Sequence, residues 1–331
     1  MHALLGLLPV ICFLTGLVYL DSYKLVGIRW IIGIIVVGGI TAGIGYLINS
    51  YLLVLLEVDF TSYTRYISPF IEEILKALII LVLIRLNRIG FLVDAAIFGF
   101  AVGAGFAVIE NLYVLQILPE MGAGGWIVRG FGTAIMHGGA TAIFAVAGRA
   151  LMSQKKSLGT IAFLPGLLIA SMTHSIFNHF FFSPILTTVG VLVVLPMLMT
   201  VVFQQSEKSI EEWLGVGFDA DTELLALINS GELSESKVGQ YLLSLKEKFD
   251  GAIVADLLCY LRLHVELAIR AKGLLMMRES GFENAPGAET HAKLEEMKYL
   301  ETSIGATGKL AIRPFLQMSR KDLWQFYVLG K

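Results

Sequence analysis

Seven stretches of apolar residues fill the first two hundred positions of the chain. A helix needs about 20 apolar residues to cross the hydrocarbon core. A spanning segment must also satisfy every backbone polar group internally. Together these limits predict an all-α fold, a polytopic transmembrane helix bundle of about seven spans. The spans fall at residues 3–20, 28–56, 67–86, 91–117, 126–149, 158–182 and 185–203. The second is overlong and contains Gly33, Gly38, Gly39, Gly43 and Gly45, so it is expected to tilt or to break near Asn49. Gly39/Gly43 and Gly99/Gly103 have the small-xxx-small spacing that suits close helix contact.

Charge divides the chain in two. Residues 1–204 hold 10 Lys/Arg and 8 Asp/Glu, whereas residues 205–331 hold 15 and 19. The expected domains are therefore a transmembrane domain, 1–204, and a C-terminal helical soluble domain, 205–331. In the second, the stretches 220–230, 234–249, 252–278 and 289–303 mix apolar and charged residues at helical spacing. The stretch from Gly281 to Gly287, with Pro286, should break that pattern. The domain's acidity argues against nucleic-acid binding. Two cysteines, Cys12 and Cys259, exclude a disulfide framework and a zinc ribbon. The N-terminus lacks a basic leader before its apolar run and reads as a first span, not a removed signal.

Loop charges orient the bundle. One set of loops carries Lys24, Arg29, Arg85, Arg88, Arg149, Lys155 and Lys156. The other carries Glu57, Asp59, Arg65, Glu120 and Arg129. The positive-inside rule makes the first set cytoplasmic. The N-terminus then lies outside and the C-terminal domain in the cytoplasm.

A few polar residues interrupt the spans. Glu72, Glu73 and Lys76 lie on the third, Glu110 and Asn111 on the fourth, His137 on the fifth, and His174, Asn178 and His179 on the sixth. Each has a structural explanation. Ser68 and Pro69 look like a helix start, and acids in a first turn complement the helix dipole. Lys76 can neutralise one acid from the same face. The histidines can join helices by hydrogen bonds. Asp94 reads as a boundary residue and His179 as interfacial. Adjacent acids inside a membrane span need more than the dipole, however, since buried charge there is costly. In the orientation above, Glu72, Glu110, His137 and His174 all fall in the outer half of their helices. His174 and Asn178, four apart, share a face.

Such a layer has two chemical uses. A carboxylate can activate water while imidazole and amide groups stabilise an oxyanion; Glu and His can equally hold a divalent metal with an open position for water. The other class is a proton- or ion-coupled transporter. Transporters commonly show repeated halves, and the sequence shows no internal repeat. His-Glu-x-x-His, Gly-x-Ser-x and Gly-x-Gly-Asp signatures of other membrane proteases are absent from the chain.

Glu-Glu-x-x-Lys at 72–76, Phe-Ala-x-x-Glu-Asn at 106–111, His137 followed by small residues and His-x-x-x-Asn at 174–178 resemble the PrsW family of intramembrane proteases. That family is distantly related to the CAAX-processing and bacteriocin-processing membrane proteases. The resemblance covers about residues 60–185 and leaves the C-terminal domain unexplained. It implies endopeptidase cleavage of a membrane-anchored protein near the outer face of a bacterial inner membrane. The namesake acts in stress signalling by cutting an anti-sigma factor, so a regulatory substrate of that type is implied. Carried over, Glu72 or Glu73 activates water, His137 holds or orients it, and His174 and Asn178 polarise the scissile carbonyl. Lys76, Glu110 and Asn111 support the site. A divalent metal such as zinc, if used, falls to Glu73, His137 and His174. The CAAX relatives point to metal-free glutamate chemistry and the family's usual name to a metalloprotease.

Overall fold

The structure is a computed structural model and describes residues 2–154, 156–282, 286–313, 316 and 329. Lys155 of the expected cytoplasmic loop and residues 283–285 of the expected tail break lie outside the described residues. All regular elements among the described residues are helical. They are α1 (His2–Tyr19), α2 (Ile28–Leu56), α3 (Phe60–Ser62), α4 (Ser68–Arg85), α5 (Leu92–Ile117), α6 (Ala123–Ile127), α7 (Ala134–Gln154), α8 (Leu164–His179), α9 (Pro184–Ser230), α10 (Lys237–Ser244), α11 (Gly251–Glu279) and α12 (Ala288–Ile312). Two π-helical segments, Tyr63–Ile67 and Val128–Thr133, lead into α4 and α7.

Among the described residues, six helical runs are long and apolar enough to cross a membrane. They are His2–Tyr19, Ile28–Leu56, Leu92–Ile117, Ala123–Gln154, Gly159–His179 and Pro184–Ser230. The protein is therefore an integral membrane protein. The remaining expected span is α4, whose 18 residues include Glu72, Glu73, Lys76 and Arg85. Its charge, not its hydropathy, sets it apart from the other spans, and three of those four charged residues belong to the polar cluster described below.

The chain divides into two compact units, Met1–Glu207 and Lys208–Lys331. In the first, α5 is the central helix. Nearly its whole circumference is buried, from Val93 to Ala107. Two glycines explain how its neighbours come so close. A Cβ at Gly103 would sit 2.2 Å from the carbonyl oxygen of His137 on α7. A Cβ at Gly105 would sit 2.0 Å from that of Ile35 on α2. The apolar environment offers no hydrophobic gain for helix association, so close backbone packing supplies the attraction. The expected Gly99/Gly103 pair does meet α7. The Gly39/Gly43 pair behaves differently: Gly43 faces open space, and Gly38 makes the backbone approach, to Val102.

Helix α2 does not break at Asn49; it continues to Leu56. The side chain of Asn49 finds three partners on the chain entering α4, so its polarity is absorbed sideways rather than by interrupting the helix. Ser68 is not the cap of α4 either. It is already helical, and its hydroxyl bonds a side chain within the helix. Asp94 closes the start of α5 by accepting from the backbone N–H groups of Gly90 (2.7 Å) and Phe91 (3.0 Å).

The second unit packs α10, α11 and α12 around Leu257, Leu261, Leu267, Ala271, Met297 and Leu300. Gly305 (φ 63°) kinks α12. Lys272, buried on α11, pairs with Asp221 at 2.6 Å. His264 is 3% exposed. Burial pushes its imidazole down to about 4, and the Lys272 ammonium adds to the shift.

Two outcomes follow from this packing. Gly103→Val forces a side chain into the α7 backbone and should destabilise the membrane unit by about 1–3 kcal/mol, read as a lower thermal midpoint in detergent. The depressed His264 value means that the unfolded chain binds the extra proton first as pH falls. Stability is therefore fully present above the ordinary histidine value of about 6.5 and is lost between there and about 4. Hydrogen exchange of Gly251–Glu279 should lose about 2 kcal/mol of protection from pH 7 to pH 5. His264→Leu should flatten that slope.

Candidate active site

Four helices bring the singled-out residues into one cluster. Glu72 and Glu73 are consecutive on α4, so their side chains leave the helix about 100° apart and meet different neighbours. Glu73 turns fully inward. Its Oε1 is 2.5 Å from Lys76 Nζ and 3.0 Å from His174 Nδ1. The Thr141 hydroxyl lies 3.4 Å from its Oε2. Glu72 is held at Oε1 by the Ser68 hydroxyl, 2.6 Å, and the Asn49 amide, 3.1 Å. Its other oxygen, Oε2, lies 3.9 Å from His174 Nε2.

The two histidines sit edge to face, with ring centroids 4.6 Å apart. Lys76 Nζ is 3.0 Å from His137 Nδ1 and lies over the Phe106 ring. A charged ammonium can only donate, so Nδ1 accepts and the proton of a neutral His137 resides on Nε2. That nitrogen is 2.8 Å from Glu110 Oε2. For His174 the order is reversed. The carboxylate of Glu73 accepts from Nδ1–H and leaves Nε2 as an acceptor.

Glu110 is paired with Arg129 at 2.8 Å. Arg129 also donates from Nε to Asn111 Oδ1, 2.8 Å, while the Asn111 amide reaches the Gly6 carbonyl, 2.7 Å. Asn111 thus ties α1 to α5 and steadies Arg129. It does not line the cavity. Asn178 does, one turn beyond His174, with its amide bonded to the Thr64 carbonyl at 2.9 Å.

The cavity, about 760 Å³, is lined by Glu72, Glu110, Arg129, His137, His174 and Asn178, among others. Glu73 and Lys76 lie behind it, both essentially without solvent access. A ligand atom from each of Glu72, His137 and His174 falls within 4.8 Å of the others. These are zinc-type donors, three in number, and a catalytic zinc keeps its fourth position for water. Glu73 on the far nitrogen of His174 is the outer carboxylate that metal-bound histidines usually have. The donor set therefore fits a metal by type and separation, and His137 would have to release Nε2–H or the bond from Lys76 to ligate it. The expected set differs by one residue: the geometry groups Glu72, not Glu73, with the histidines.

A sequence profile described as PrsW family intramembrane metalloprotease matches residues 26–203. The chain belongs to this family. Membership makes it an intramembrane protease, and the match runs through the membrane unit from the start of α2 to α9. No curated protein and no solved structure matches the chain.

Several residues of this PrsW-family site carry no motif in the sequence. Asn49 and Ser68 hold Glu72, Thr141 lies beside Glu73, and Arg129 holds Glu110. Arg129 reads from sequence as an outer-loop charge. It comes from the Val128–Thr133 π-helical segment instead. The other π segment exposes the Thr64 and Arg65 carbonyls that Asn178 and Ser175 bond. Single π turns often occur at functional sites, and no side-chain pattern announces them. Asp94 and His179 stay outside the cluster. His179 bonds the Ser175 carbonyl and stacks on Phe181.

Lys76→Met should remove the only ammonium among the described partners of Glu73 and leave that carboxylate uncompensated. Breaking a buried pair in this way costs about 3–5 kcal/mol. Thermal unfolding of the purified protein should show it. Lys76→Met/Glu73→Leu together should recover much of the loss.

Proposed function

We propose that the protein is an endopeptidase in which Glu72 activates water to cut a membrane-anchored substrate. The observation that carries this reading is the division of labour between the adjacent acids. Glu73 is occupied by Lys76 and His174 behind the cavity wall. Glu72 lines the cavity with one oxygen beside His174 Nε2.

Two acceptors 3.9 Å apart are spanned by one water that donates to both. In that position Glu72 takes one proton as the water oxygen bonds to the scissile carbonyl carbon. The carbonyl π electrons move to oxygen. The second amide hydrogen of Asn178 is the donor available to that oxyanion, because Glu110 engages His137 Nε2–H. The C–N bond then breaks, and the proton held by Glu72 passes to the leaving amine. Glu73 and Lys76 act through the histidines. They set which nitrogen of each ring carries the proton. Glu110, fixed by Arg129, holds His137 in register. A zinc ion held by Glu72, His137 and His174 would supply a polarised carbonyl and a more acidic water.

The same reading takes α4 as a seventh span, because a buried, internally paired cluster lowers the cost of its charges. Seven spans with the positive loops inside put the cluster near the extracytoplasmic face of an inner membrane and residues 205–331 in the cytoplasm. A single-span regulatory protein of the anti-sigma-factor type is the substrate class proposed.

Glu72→Gln should lower cleavage of a single-span reporter in proteoliposomes by about 10²–10⁴-fold, with an unchanged thermal midpoint. Undiminished cleavage would remove Glu72 as the base. Cleavage should survive exhaustive chelation. Loss on chelation, restored by one equivalent of zinc, would instead make Glu72, His137 and His174 a metal centre.

A further inference from the structure

The polar cavity has an apolar neighbour. A second cavity of about 690 Å³ runs between α2 and α5 and shares Glu72, Glu110, Arg129, Phe60, Thr64, Ser68 and Met121 with the first. Beyond that shared end its walls are mostly apolar or aromatic, formed by residues such as Gly43, Leu53, Phe106, Ile109, Tyr113 and Ile117. Tyr46 and Tyr113 bridge its two walls. Their hydroxyls are 3.2 Å apart, their rings 5.0 Å apart, and both side chains are well exposed. The flanking face of α2 exposes Ile44, Leu47, Tyr51 and Val54, as a lipid-facing helix does.

We propose that the α2–α5 groove receives the apolar segment of the membrane-anchored substrate and feeds it to Glu72. This inference rests on the protease reading and adds the path by which the substrate arrives. In a helix the peptide carbonyls are already hydrogen-bonded, so the scissile segment must be extended before water attacks it. An α-helix is about 10–12 Å across with its side chains, and the groove is too small to take one whole. It takes a few unwound residues, while the intact helix lies along the exposed face of α2. Asn49 and Ser50 line the groove near Glu72. Asn49 is already engaged by Tyr63, Ser68 and Glu72, so the Ser50 hydroxyl is the hydrogen-bond partner offered to an unwound backbone, which a lipid acyl chain would not use.

A competing apolar cavity of about 610 Å³ lies between α8 and α9, lined by Ile176, Phe182, Gly190, Val193 and Val194, among others. None of Glu72, Glu110, His137, His174 and Asn178 lines it. It therefore provides the control. Gly43 and Gly190 both face open space, with nothing within 4 Å of an added Cβ. A larger side chain can be placed at either without an immediate backbone clash.

The test uses full-length protein in proteoliposomes with single-span reporters that the native protein cuts. A reporter panel that is never cut would overturn the protease reading itself. Benzoyl-phenylalanine is placed at Leu53 or at Gly190 in the Glu72→Gln protein, where binding is read without turnover. Cross-linking from position 53 to the reporter's apolar segment, and not from 190, is the expected result. Cross-links from 190 alone, or from 53 to lipid alone, would overturn the proposal. In the active protein, Gly43→Trp should reduce cleavage of the anchored reporter at least tenfold more than cleavage of a short peptide lacking the apolar segment. Gly190→Trp should leave both unchanged. Equal losses of both activities in Gly43→Trp, or a selective loss in Gly190→Trp, would refute the groove.

Discussion

Lys76 Nζ lies 2.5 Å from Glu73 and 3.0 Å from His137, and neither Lys76 nor Glu73 reaches solvent. A lone charge in such a place would be strongly disfavoured. The pair is tolerated because each member has further partners: Thr141 and His174 for the carboxylate, His137 and the face of Phe106 for the ammonium. That requirement joins α4 to α5, α7 and α8. Any arrangement that satisfies Glu73 and Lys76 also brings both histidines together, so the polar network and the site geometry have a common cause.

Close backbone packing provides the frame. Gly103 allows α5 to rest on the carbonyl of His137 itself, and Gly105 admits the α2 backbone. The first contact sets the height of His137 against Glu110. The second seats α2, the helix that carries Asn49, against α5. Small residues on α5 thus govern the positions of side chains on two neighbouring helices, although α5 contributes only Glu110 to the cavity among the acids and histidines.

The glutamate and metal readings use the same atoms. Glu72, His137 and His174 suit zinc by type and separation. In the same structure Lys76 and Glu110 engage the two nitrogens of His137, which fixes its ring beside the cavity. Both readings leave Glu73 as the residue that orients His174, and both leave Glu72 facing the cavity.

Much of this was legible in the chain. Apolar run length determined the helical class and most span boundaries, because a bilayer admits few alternatives. It missed the extent of α9, which runs past the expected end at 203 to Ser230 and takes in the expected tail helix 220–230. The four polar motifs were legible because charge inside an apolar span needs a reason. What the sequence could not assign was direction. Glu72 and Glu73 are adjacent and chemically identical. Only the packing of α7 and α8 against one side of α4 made one of them an orienting group and exposed the other to the cavity. Asn49, Arg129 and the two π segments were invisible for a related reason: their roles depend on partners 18 to 23 residues away or more. Periodicity reports which face of a helix is apolar. It carries no information on which polar atom on a neighbouring helix will stand opposite, and that was decided by the tertiary structure alone.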